Sequence, residues 1–449
     1  MKVIVILICK ICSFLGKCIN RGSSLPGQIA LKLRPNILSE LTLPNTVIAV
    51  TGSNGKTSTV EMIAAVLKAS GKKVIWNKEG SNLTYGIATM LLNNSSISGK
   101  VDGDAVVMEC DERFARHIFK YVKPTHFVIT NLYRDQLTRN VHPFWIYNII
   151  KDAVDLAEGS ELIINGDDPI IARYGDTREK EDKVCYFGMR ENQYSSKTSD
   201  SLYNDCYYCP NCKKKMSYKY FHFAQLGDYE CTSCGYRRPE LKYAVDNVDF
   251  EKEEISINGI PVSLSFSSQY NIYNICAAFS VSKEIGISDD IISDTLSDFK
   301  MKNGRIVRFR AGENEGLLIT SKHENSTSYN QSLEYVASQS NPSILLIIID
   351  AISRKYYTAE TSWIWDISFE LIKKSNVRKI ILCGKYAYDL AVRFETIDLG
   401  DKEIVITTDF DEMAGMISSP TDMDLYAVTC FSDKDKLYSR VKVETPTAK

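Results

Sequence analysis

The sequence lacks a hydrophobic run long enough for a membrane-spanning helix, which needs about 20 apolar residues. Its apolar start, Met1–Cys9, is too short, and Lys10 and Lys17 interrupt the apolar residues after it. No small-residue cleavage site comes next either, so neither a membrane span nor a signal peptide is expected. We predict a helix here that either packs on the protein or lies at a membrane surface.

A strong charge of either sign is also missing. Lys and Arg total 54 and Asp and Glu total 56, which gives a net charge of -2. This balance argues against nucleic acid as the main partner. Apolar residues make up 44% and charged residues 24% of the chain, a globular composition that leaves no room for an extensive disordered region. The length of 449 residues predicts two or three domains.

Cysteine, by contrast, is abundant, and its distribution is uneven. Of thirteen cysteines, eight are scattered in apolar contexts typical of reduced core thiols, which predicts a cytoplasmic protein. The other five fall in one short segment: Cys206, Cys209, Cys212, Cys231 and Cys234.

Two C-x2-C pairs within this segment predict a structural zinc site. Cys209 and Cys212 form the first pair, and Cys231 and Cys234 the second. Their spacing is typical of four thiolates around a tetrahedral ion with no open position for catalysis. Cys206 is then a fifth thiol with no assigned role. Disulfides are the alternative, which the lack of a secretion signal disfavours.

Alternating apolar runs and helical patterns predict two α/β domains, each with a mostly parallel sheet covered by helices on both faces. The strands of the first series are Thr46–Val50, Lys73–Trp76, Ala105–Met108, His126–Thr130 and Glu161–Ile164. Those of the second are Gly316–Thr320, Ile344–Ile349, Lys379–Cys383, Glu403–Thr407 and Leu425–Thr429. Between Lys183 and Asp246 aliphatic residues are scarce, so we expect an insertion without sheet core of its own.

A glycine-rich loop joins the strand Thr46–Val50 to a helical pattern, and it reads Gly52-Ser53-Asn54-Gly55-Lys56-Thr57-Ser58. Backbone N–H groups and the helix dipole favour an anion at such a junction. Lys56 can reach the β- and γ-phosphate oxygens of a nucleotide, and the Thr57 hydroxyl can ligate Mg²⁺. The loop therefore predicts ATP binding, with a glycine-rich turn that happens to contain lysine as the alternative.

Acidic and amide residues follow the third and fourth strands of the first series. Glu109-Cys-Asp-Glu112 comes directly after Ala105–Met108, and Thr130-Asn131 is followed by Asp135. The carboxyl ends of parallel strands line the nucleotide crevice of an open sheet, and Mg²⁺ prefers hard oxygen ligands. We predict Glu109 as a magnesium ligand, while a solvated acidic loop is the alternative.

The phrase TGSNGKTST at Thr51–Thr59 resembles the P-loop of the Mur ligases and folylpolyglutamate synthetases. Further segments resemble one subgroup, the MurT family, in order and spacing. They are Arg21–Gly27, Glu109–Glu112, Ile129–Gln136, Asn165–Pro169, the four-cysteine insertion, Tyr270–Asn274 and TSWIWD at Thr361–Asp366. The resemblance spans nearly the whole chain.

The expected architecture combines these observations. We expect an N-terminal helical lead-in over residues 1–45 and a Mur ligase-like P-loop domain with a mostly parallel sheet over residues 46–300. Its insertion covers residues 183–246 and contains a zinc ribbon at 206–236. A second, Rossmann-like α/β domain that docks the partner is expected over residues 301–449.

The resemblance implies a reaction. MurT is the ligase subunit of lipid II isoglutaminyl synthase and works with the glutaminase GatD. The chain would form a heterodimer with a GatD-type glutaminase and act on lipid II, or a related muramyl peptide, at the cytoplasmic face of the membrane. With Mg-ATP it would phosphorylate the α-carboxylate of the stem-peptide D-glutamate, and ammonia would then give D-isoglutamine in peptidoglycan synthesis. The implied cofactors are ATP, Mg²⁺ and structural Zn²⁺.

The resemblance also assigns residues. Asn271 and Asn274 match positions that hold the adenine, Arg305 matches an arginine directed at the γ-phosphate, and Asn82 matches a substrate or phosphate-side loop. Glu360 stands where the family has an aspartate that completes the partner's glutaminase triad. It either takes that role or is an exposed interface acid.

Two tryptophans, Trp363 and Trp365, are also candidate site residues. Trp363 and Trp365 alternate around Ile364, which predicts both rings on one face of an extended segment, either at an interface or in a packed core. Asp135 is a further candidate for substrate or interface contact.

Departures from the family pattern leave other functions open. Lys322-His-Glu-Asn-Ser326 stands where the family has Lys-Asn-Pro-x-Gly. A divergent paralogue that amidates another carboxylate is one alternative. A stand-alone amino-acid-adding ligase, which needs neither the cysteine pairs nor TSWIWD, is a second, and a nonenzymatic nucleotide-dependent scaffold is a third.

Overall fold

The structure is a computed structural model. It describes residues 1–17, 23–77, 81–136, 140, 142–177, 183–199, 201–264, 269–300, 306–351 and 360–443. The chain divides into two compact units. Unit 1 comprises Met1–Tyr133, Pro143–Ser199 and Asn204–Lys300, and unit 2 comprises Arg134–His142, Asp200–Tyr203 and Met301–Lys449.

Unit 1 is an α/β structure with an added two-stranded sheet. Its helices are α1 (Lys2–Lys17), α2 (Leu25–Leu33), α3 (Lys56–Ala69), α4 (Thr84–Asn93), α5 (Ala115–Phe119), α6 (Pro143–Leu156), α7 (Arg173–Asp176), α8 (Gln269–Glu284) and α9 (Asp289–Ser297). Its strands are β1 (Thr46–Thr51), β2 (Val74–Trp76), β3 (Ala105–Glu109), β4 (His126–Ile129), β5 (Glu161–Asn165), β6 (Val184–Met189), β7 (Ser217–Phe223), β8 (Leu226–Glu230), β9 (Tyr243–Asp249), β10 (Glu254–Ile257) and β11 (Ile260–Ser263).

The main sheet of unit 1 has the order β11-β10-β9-β6-β5-β4-β1-β3-β2 over the residues described. Its strands from β9 to β2 in this order run parallel, and β10 and β11 add an antiparallel edge. Successive side chains of a strand point to opposite faces. Accordingly, Val47 and Ala49 of β1 pack with α4, α5 and α6, while Ile48 and Val50 pack with α3 and α8. The order β4-β1-β3 places the loop after β1 between two other strand ends.

The cysteine-rich segment forms the connection between two neighbouring parallel strands, β6 and β9, whose register pairs Phe187 with Tyr243. Within it, β7 and β8 form an antiparallel hairpin. The prediction that residues 183–246 carry no sheet core is wrong at both ends, because β6 and β9 belong to the main sheet. Phe187 and Met189 of β6 are buried, so aromatic and sulfur-containing side chains fill the core where aliphatic residues were expected.

Unit 2 is a second α/β structure. Its strands are β12 (Ile306–Ala311), β13 (Asn314–Ser321), β14 (Ser343–Ile348), β15 (Val377–Cys383), β16 (Glu403–Thr407), β17 (Asp424–Cys430) and β18 (Lys442–Val443). Its helices are α10 (Ser326–Ala337), α11 (Ser362–Trp365), α12 (Ala387–Glu395), α13 (Phe410–Ser418) and α14 (Lys434–Tyr438).

The sheet of unit 2 has the order β16-β15-β14-β17-β13-β12-β18 over the residues described. The strands from β16 to β13 run parallel, and β12 pairs antiparallel with β13 and β18. Leu345 and Ile347 of β14 pack with α10 and α12, and Leu346 and Ile348 pack towards α13 and α14. Helices therefore cover both faces, as predicted.

Every strand predicted for the two alternating series is present. The antiparallel strands β10, β11, β12 and β18 were not predicted, because short strands with charged residues carry a weak periodic signal. No helix in the described part of the chain is both long and apolar enough to cross a membrane.

Candidate functional site

The glycine-rich loop of unit 1 lies between the end of β1 and the start of α3. Gly52 and Gly55 adopt φ angles of 136° and 83°, in the left-handed region that glycine tolerates. A Cβ atom on Gly55 would collide with the Asn274 side chain on α8, and one on Gly52 would collide with Thr130. Both glycines are therefore required by the path of the loop and by the close approach of its neighbours.

Lys56 is buried and directed back under this loop. Its ammonium donates hydrogen bonds to the carbonyl oxygens of Gly52 and Ser53, and lies 3.1 Å from Glu112 Oε2. Glu112 was assigned no role from the sequence, although it belongs to the acidic segment after β3. The pairing fixes a positive charge at the amino end of α3, where a phosphate group would gain most from it.

Glu109 at the end of β3 faces the start of α3. The Thr57 hydroxyl donates to Glu109 Oε2 at 2.9 Å, and Asn82 Nδ2 donates to Oε1 at 3.0 Å. The structure thus brings together Thr57, Glu109 and Asn82. Asn77, which was not among the predicted residues, exchanges two hydrogen bonds with the Glu109 backbone, of 2.7 and 2.9 Å. A single asparagine after a short strand carries no signal that would have revealed it.

Side chains from the end of β4 brace the loop from its other side. Asn131 Oδ1 accepts the Asn54 N–H at 2.9 Å, and the Thr130 hydroxyl donates to the Asn54 carbonyl at 2.8 Å. The Ser53 N–H donates to the Asn131 carbonyl at 3.0 Å. The loop is therefore held by both strands that flank β1.

The remaining predicted nucleotide ligands are only partly described. Asn271 is buried on α8, and Asn274 lies one helical turn further along, against Gly55. Ser58 lies half-buried in the first turn of α3. Arg305 lies outside the described residues.

The four paired cysteines form one cluster. Their sulfur atoms lie within 4.8 Å of one another, with 3.6 Å between Cys209 and Cys234 and 3.5 Å between Cys212 and Cys231. A tetrahedral ion with metal–sulfur bonds of about 2.3 Å separates its sulfur ligands by about 3.8 Å, so these residues could hold a metal. Cys206 is buried outside the cluster, and burial raises its pKa well above the ordinary value.

Each cysteine pair sits on the same backbone turn. The Lys213 N–H donates to the Cys209 carbonyl and the Gly235 N–H to the Cys231 carbonyl, at 2.9 and 2.8 Å. Lys213 and Gly235 occupy equivalent positions, four residues after the first cysteine of each pair, and have φ angles of 63° and 75°. Two matching turns that present four thiols to one point are the expected framework of a structural metal site.

The tryptophan segment of unit 2 differs from the prediction. Ser362–Trp365 forms a helical turn rather than an extended segment, so residues two apart point to different sides. Trp363 is 2% exposed and packs beside Tyr329, whereas Trp365 is 40% exposed. Of the two rings, Trp365 alone is available at a surface.

Two predicted acids of unit 2 have different surroundings. Glu360 is exposed and accepts the Ser362 N–H at 2.9 Å, and its hydrogen bonds with Ser362 lower its pKa. Asp135 is buried, forms an ion pair with Lys322, and accepts Asn325 Nδ2 at 2.9 Å. The divergent loop after β13 is thus organised around Asp135.

Comparisons with known families agree with this geometry. The Mur ligase middle domain family matches residues 50–232, and the MurT ligase C-terminal family matches residues 323–433. The lipid II isoglutaminyl synthase (glutamine-hydrolyzing) subunit MurT of Staphylococcus aureus (strain COL) is 30% identical over 393 residues, which cover 87% of this chain and 86% of the relative. The chain belongs to the MurT family.

Other comparisons support the same assignment. The subunit MurT of Streptococcus pneumoniae (strain ATCC BAA-255 / R6) is 29% identical over 419 residues, which cover 92% of this chain and 91% of the relative. The structure of a pseudomurein peptide ligase type C from Methanothermus fervidus has the same fold, with a TM-score of 0.64 and 21% identity over 90% of this chain and 79% of that one. This MurT family member is therefore a Mur-type ligase.

Proposed function

We propose that this MurT family member is the ATP-dependent amidating subunit of a two-subunit ligase. Its substrate would be the D-glutamate α-carboxylate in the stem peptide of lipid II or a related muramyl peptide, and its product D-isoglutamine. The observation that carries the proposal is the joint placement of Lys56, Thr57 and Glu109 around a phosphate-type loop, in a chain whose relatives are named as lipid II isoglutaminyl synthase subunits.

The proposed chemistry has two steps. The substrate carboxylate attacks the γ-phosphorus of ATP, which forms an acyl phosphate and releases ADP. Ammonia then attacks the acyl carbon, loses a proton and expels inorganic phosphate to leave the amide. Neither step needs a covalent bond to the protein, so the chain contributes positioning and charge.

The loop residues fit the nucleotide phosphates. Backbone N–H groups of Gly55, Lys56 and Thr57 stand at the amino end of α3, and the Lys56 ammonium adds a fixed positive charge. Glu112 and two loop carbonyls already hold that ammonium in place. By family resemblance, Asn271 and Asn274 would hold the adenine, and Arg305 would approach the γ-phosphate.

Thr57 and Glu109 fit a bound Mg²⁺. Their two oxygens lie 2.9 Å apart, and both are the hard donors that this ion prefers. The ion would neutralise charge on the phosphates. Asn82, through its hydrogen bond to Glu109 Oε1, would orient the carboxylate.

The four-cysteine cluster would hold a structural Zn²⁺. Four thiolates leave no position open for substrate, so the ion would stabilise the segment between β6 and β9 and take no part in the reaction. This role matches its place in the chain, because the cluster closes the connection between two core strands.

A GatD-type glutaminase would supply the ammonia and form a heterodimer with unit 2. Glu360 would orient the catalytic histidine of that partner. An exposed glutamate is ionised at neutral pH, which is the form that accepts an imidazole N–H, and the hydrogen bonds with Ser362 lower the pKa of Glu360 further. Trp365 is also exposed and follows Glu360 closely in the sequence, so it would belong to the same surface. The complex would work at the cytoplasmic face of the membrane, where lipid-linked precursors are assembled.

Amidation of a D-glutamyl muramyl peptide tests the proposal. We expect the purified chain to amidate the peptide with Mg-ATP and either ammonium chloride or glutamine plus a GatD-type glutaminase. The Lys56→Ala variant should lose activity by about 10³-fold, because it removes the charge on the phosphates. Absence of an ammonia-dependent product with any muramyl peptide would overturn the amidation, and a product that contains an added amino acid would identify a stand-alone ligase.

The loop after β13 motivates one alternative acceptor. Lys322, Asn325 and Asp135 form a polar cluster in place of the family's Lys-Asn-Pro-x-Gly loop. If this difference changes the acceptor, a chain that fails with D-glutamyl peptides should amidate another carboxylate in the same ammonium assay.

The domain limits at residues 45 and 300 stay predictions.

A further inference from the structure

Helix α1 has two faces of different character. Val5, Ile6 and Cys9 are buried in the core beneath the helix, where they pack with residues of α2 and α4. The opposite face is open. Six large apolar side chains on it are between 43% and 73% exposed: Val3, Ile4, Leu7, Ile11, Phe14 and Leu15.

The open face of α1 contains no polar residue. A helix on the surface of a globular protein normally turns charged or polar side chains to water. At 100° per residue, the six exposed side chains fall within an arc of about 120° that contains apolar residues alone. The neighbouring helix α2 also exposes Leu25 and Leu33. A contiguous apolar surface of this kind indicates contact with something other than water.

The charge of this part of the chain identifies that contact. Residues 1–34 contain six basic residues and no acidic residue, although the whole chain has a net charge of -2. Lys10 lies at one border of the apolar face, with its ammonium bonded to the Asn93 carbonyl, and Lys32 on α2 is exposed. An apolar stripe within a basic region is complementary to a bilayer that contains anionic lipids.

We propose that α1 lies flat on an anionic membrane surface, with its exposed face at the boundary between headgroups and acyl chains. The 16 residues of α1 would reach about 24 Å, less than the hydrocarbon thickness, and one face is already packed on protein. The helix therefore binds the surface without crossing it. The inference goes beyond the proposed ligase activity and does not depend on it.

Vesicle sedimentation with the full-length chain tests this inference. The probes are vesicles of phosphatidylcholine alone and of phosphatidylcholine with about one third phosphatidylglycerol. We expect wild-type protein to bind the anionic vesicles at least tenfold more tightly than the neutral ones. The Leu7→Gln/Ile11→Gln variant should bind the anionic vesicles at least tenfold more weakly than wild type, because it places two amides in the centre of the apolar face.

A matched variant separates this face from exposed isoleucines in general. Ile404→Gln/Ile406→Gln changes two side chains on β16 that are 39% and 37% exposed, and it should bind vesicles as wild type does. Thermal melts establish that both variants fold. Equal vesicle binding by wild type and Leu7→Gln/Ile11→Gln would overturn the inference. So would sedimentation velocity that shows a wild-type dimer which this variant abolishes, since a second copy would then cover the face.

Discussion

Two threonines of α3 allow a test of the metal-ligand role at the scale of single residues. Thr57 Oγ1 donates to Glu109, whereas Thr59 is buried and its hydroxyl has no hydrogen-bond partner among the described residues. Thr57→Val should lower ammonium-dependent amidation by about 10²-fold and raise the Mg²⁺ concentration that gives half-maximal rate, because the ion loses a ligand.

Thr59→Val is the matched control for this experiment. It makes the same change two residues later, and we expect its amidation rate and magnesium dependence to stay within about twofold of wild type. Equal losses in the two variants would show that the helix tolerates valine poorly and that Thr57 has no special role.

Glu360 permits a second test at this scale, because its role should depend on the source of nitrogen. Glu360→Gln should lower glutamine-dependent amidation by about 10²-fold or more and leave ammonium-dependent amidation unchanged, since only the partner's histidine loses its acceptor. Glu360→Asp, which restores the residue usual in the family, should retain glutamine-dependent activity. Rates measured with glutamine and with ammonium chloride decide the question. An equal effect on both rates would remove Glu360 from the triad.

The sequence predicted Lys56, Thr57 and Glu109 as neighbours because strand ends and helix starts meet at one edge of a parallel sheet. It did not predict Asn77 or Glu112. Asn77 acts through the backbone of Glu109, and a side chain that bonds a backbone leaves no pattern in a single sequence. Glu112 was visible in an acidic segment, but its pairing with Lys56 depends on how the loop folds back.

At the scale of elements, the four-cysteine cluster predicts that metal content and stability change together. Cys231→Ser should reduce bound zinc from about one ion per chain to nearly none and lower the melting temperature, because the ribbon loses a thiolate. Cys206→Ser should retain the zinc, since Cys206 lies outside the cluster. Elemental analysis and thermal melts are the measurements. A metal-free wild-type protein that melts cooperatively with an intact ribbon would refute the zinc site.

Two glutamates form a pair at the end of the main sheet where its parallel strands begin. The contribution of this pair to the stability of the fold should depend on pH. Glu161 at the start of β5 is hydrogen-bonded to Glu284 at the end of α8, and Lys242 lies 2.5 Å from Glu284. Burial, with the bond to Glu284 and its negative charge, raises the pKa of Glu161 to about 7. In the unfolded chain the pKa of a glutamate is about 4.3. The stabilisation that protonated Glu161 gives to the folded state is therefore complete below that pH and is lost as the pH rises through about 7.

Glu161→Gln keeps a hydrogen-bond donor towards Glu284 at every pH. We therefore expect its melting temperature, relative to wild type, to rise between pH 5 and pH 8. Glu158→Gln, which changes an exposed acid in the preceding turn, should show no such trend. Melting curves at the two pH values suffice, and a constant difference between Glu161→Gln and wild type would exclude a stabilising hydrogen bond from protonated Glu161 to Glu284.

Whether a segment forms a helix or a strand was easier to predict for long segments than for short ones. Strands made of continuous aliphatic runs, such as β1 and β14, followed from their composition, their short length and their alternation with helical segments. The conformation of Ser362–Trp365 did not, because four residues fit both a helical turn and an extended segment, and the packing of Trp363 beside Tyr329 decided between them. β6 was missed because cysteine and aromatic residues fill the places of aliphatic ones.

At the scale of the whole molecule, charge is segregated along the chain. Residues 1–34 carry six positive charges, whereas the chain as a whole has a net charge of -2. Binding to anionic vesicles should therefore weaken by about tenfold between about 50 and about 500 mM NaCl, because salt screens the attraction to the headgroups. Binding that does not respond to salt would mean that apolar contact alone holds the protein.

Fold class and family were predictable at this scale because the motifs are numerous and ordered along nearly the whole chain. The acceptor was less predictable. It depends on short loops such as Lys322–Ser326, where a few substitutions change the chemistry and leave the fold intact.

The ribbon between β6 and β9 also has a consequence for biogenesis. A growing chain exposes the edge of β6 until the segment behind it has been made, because Phe187 pairs with a residue 56 positions later, Tyr243. Metal binding would make the long connection between β6 and β9 compact, and would lower the entropy cost of pairing the two strands. Cells short of zinc would then leave nascent chains with an open strand edge, the form most prone to aggregation.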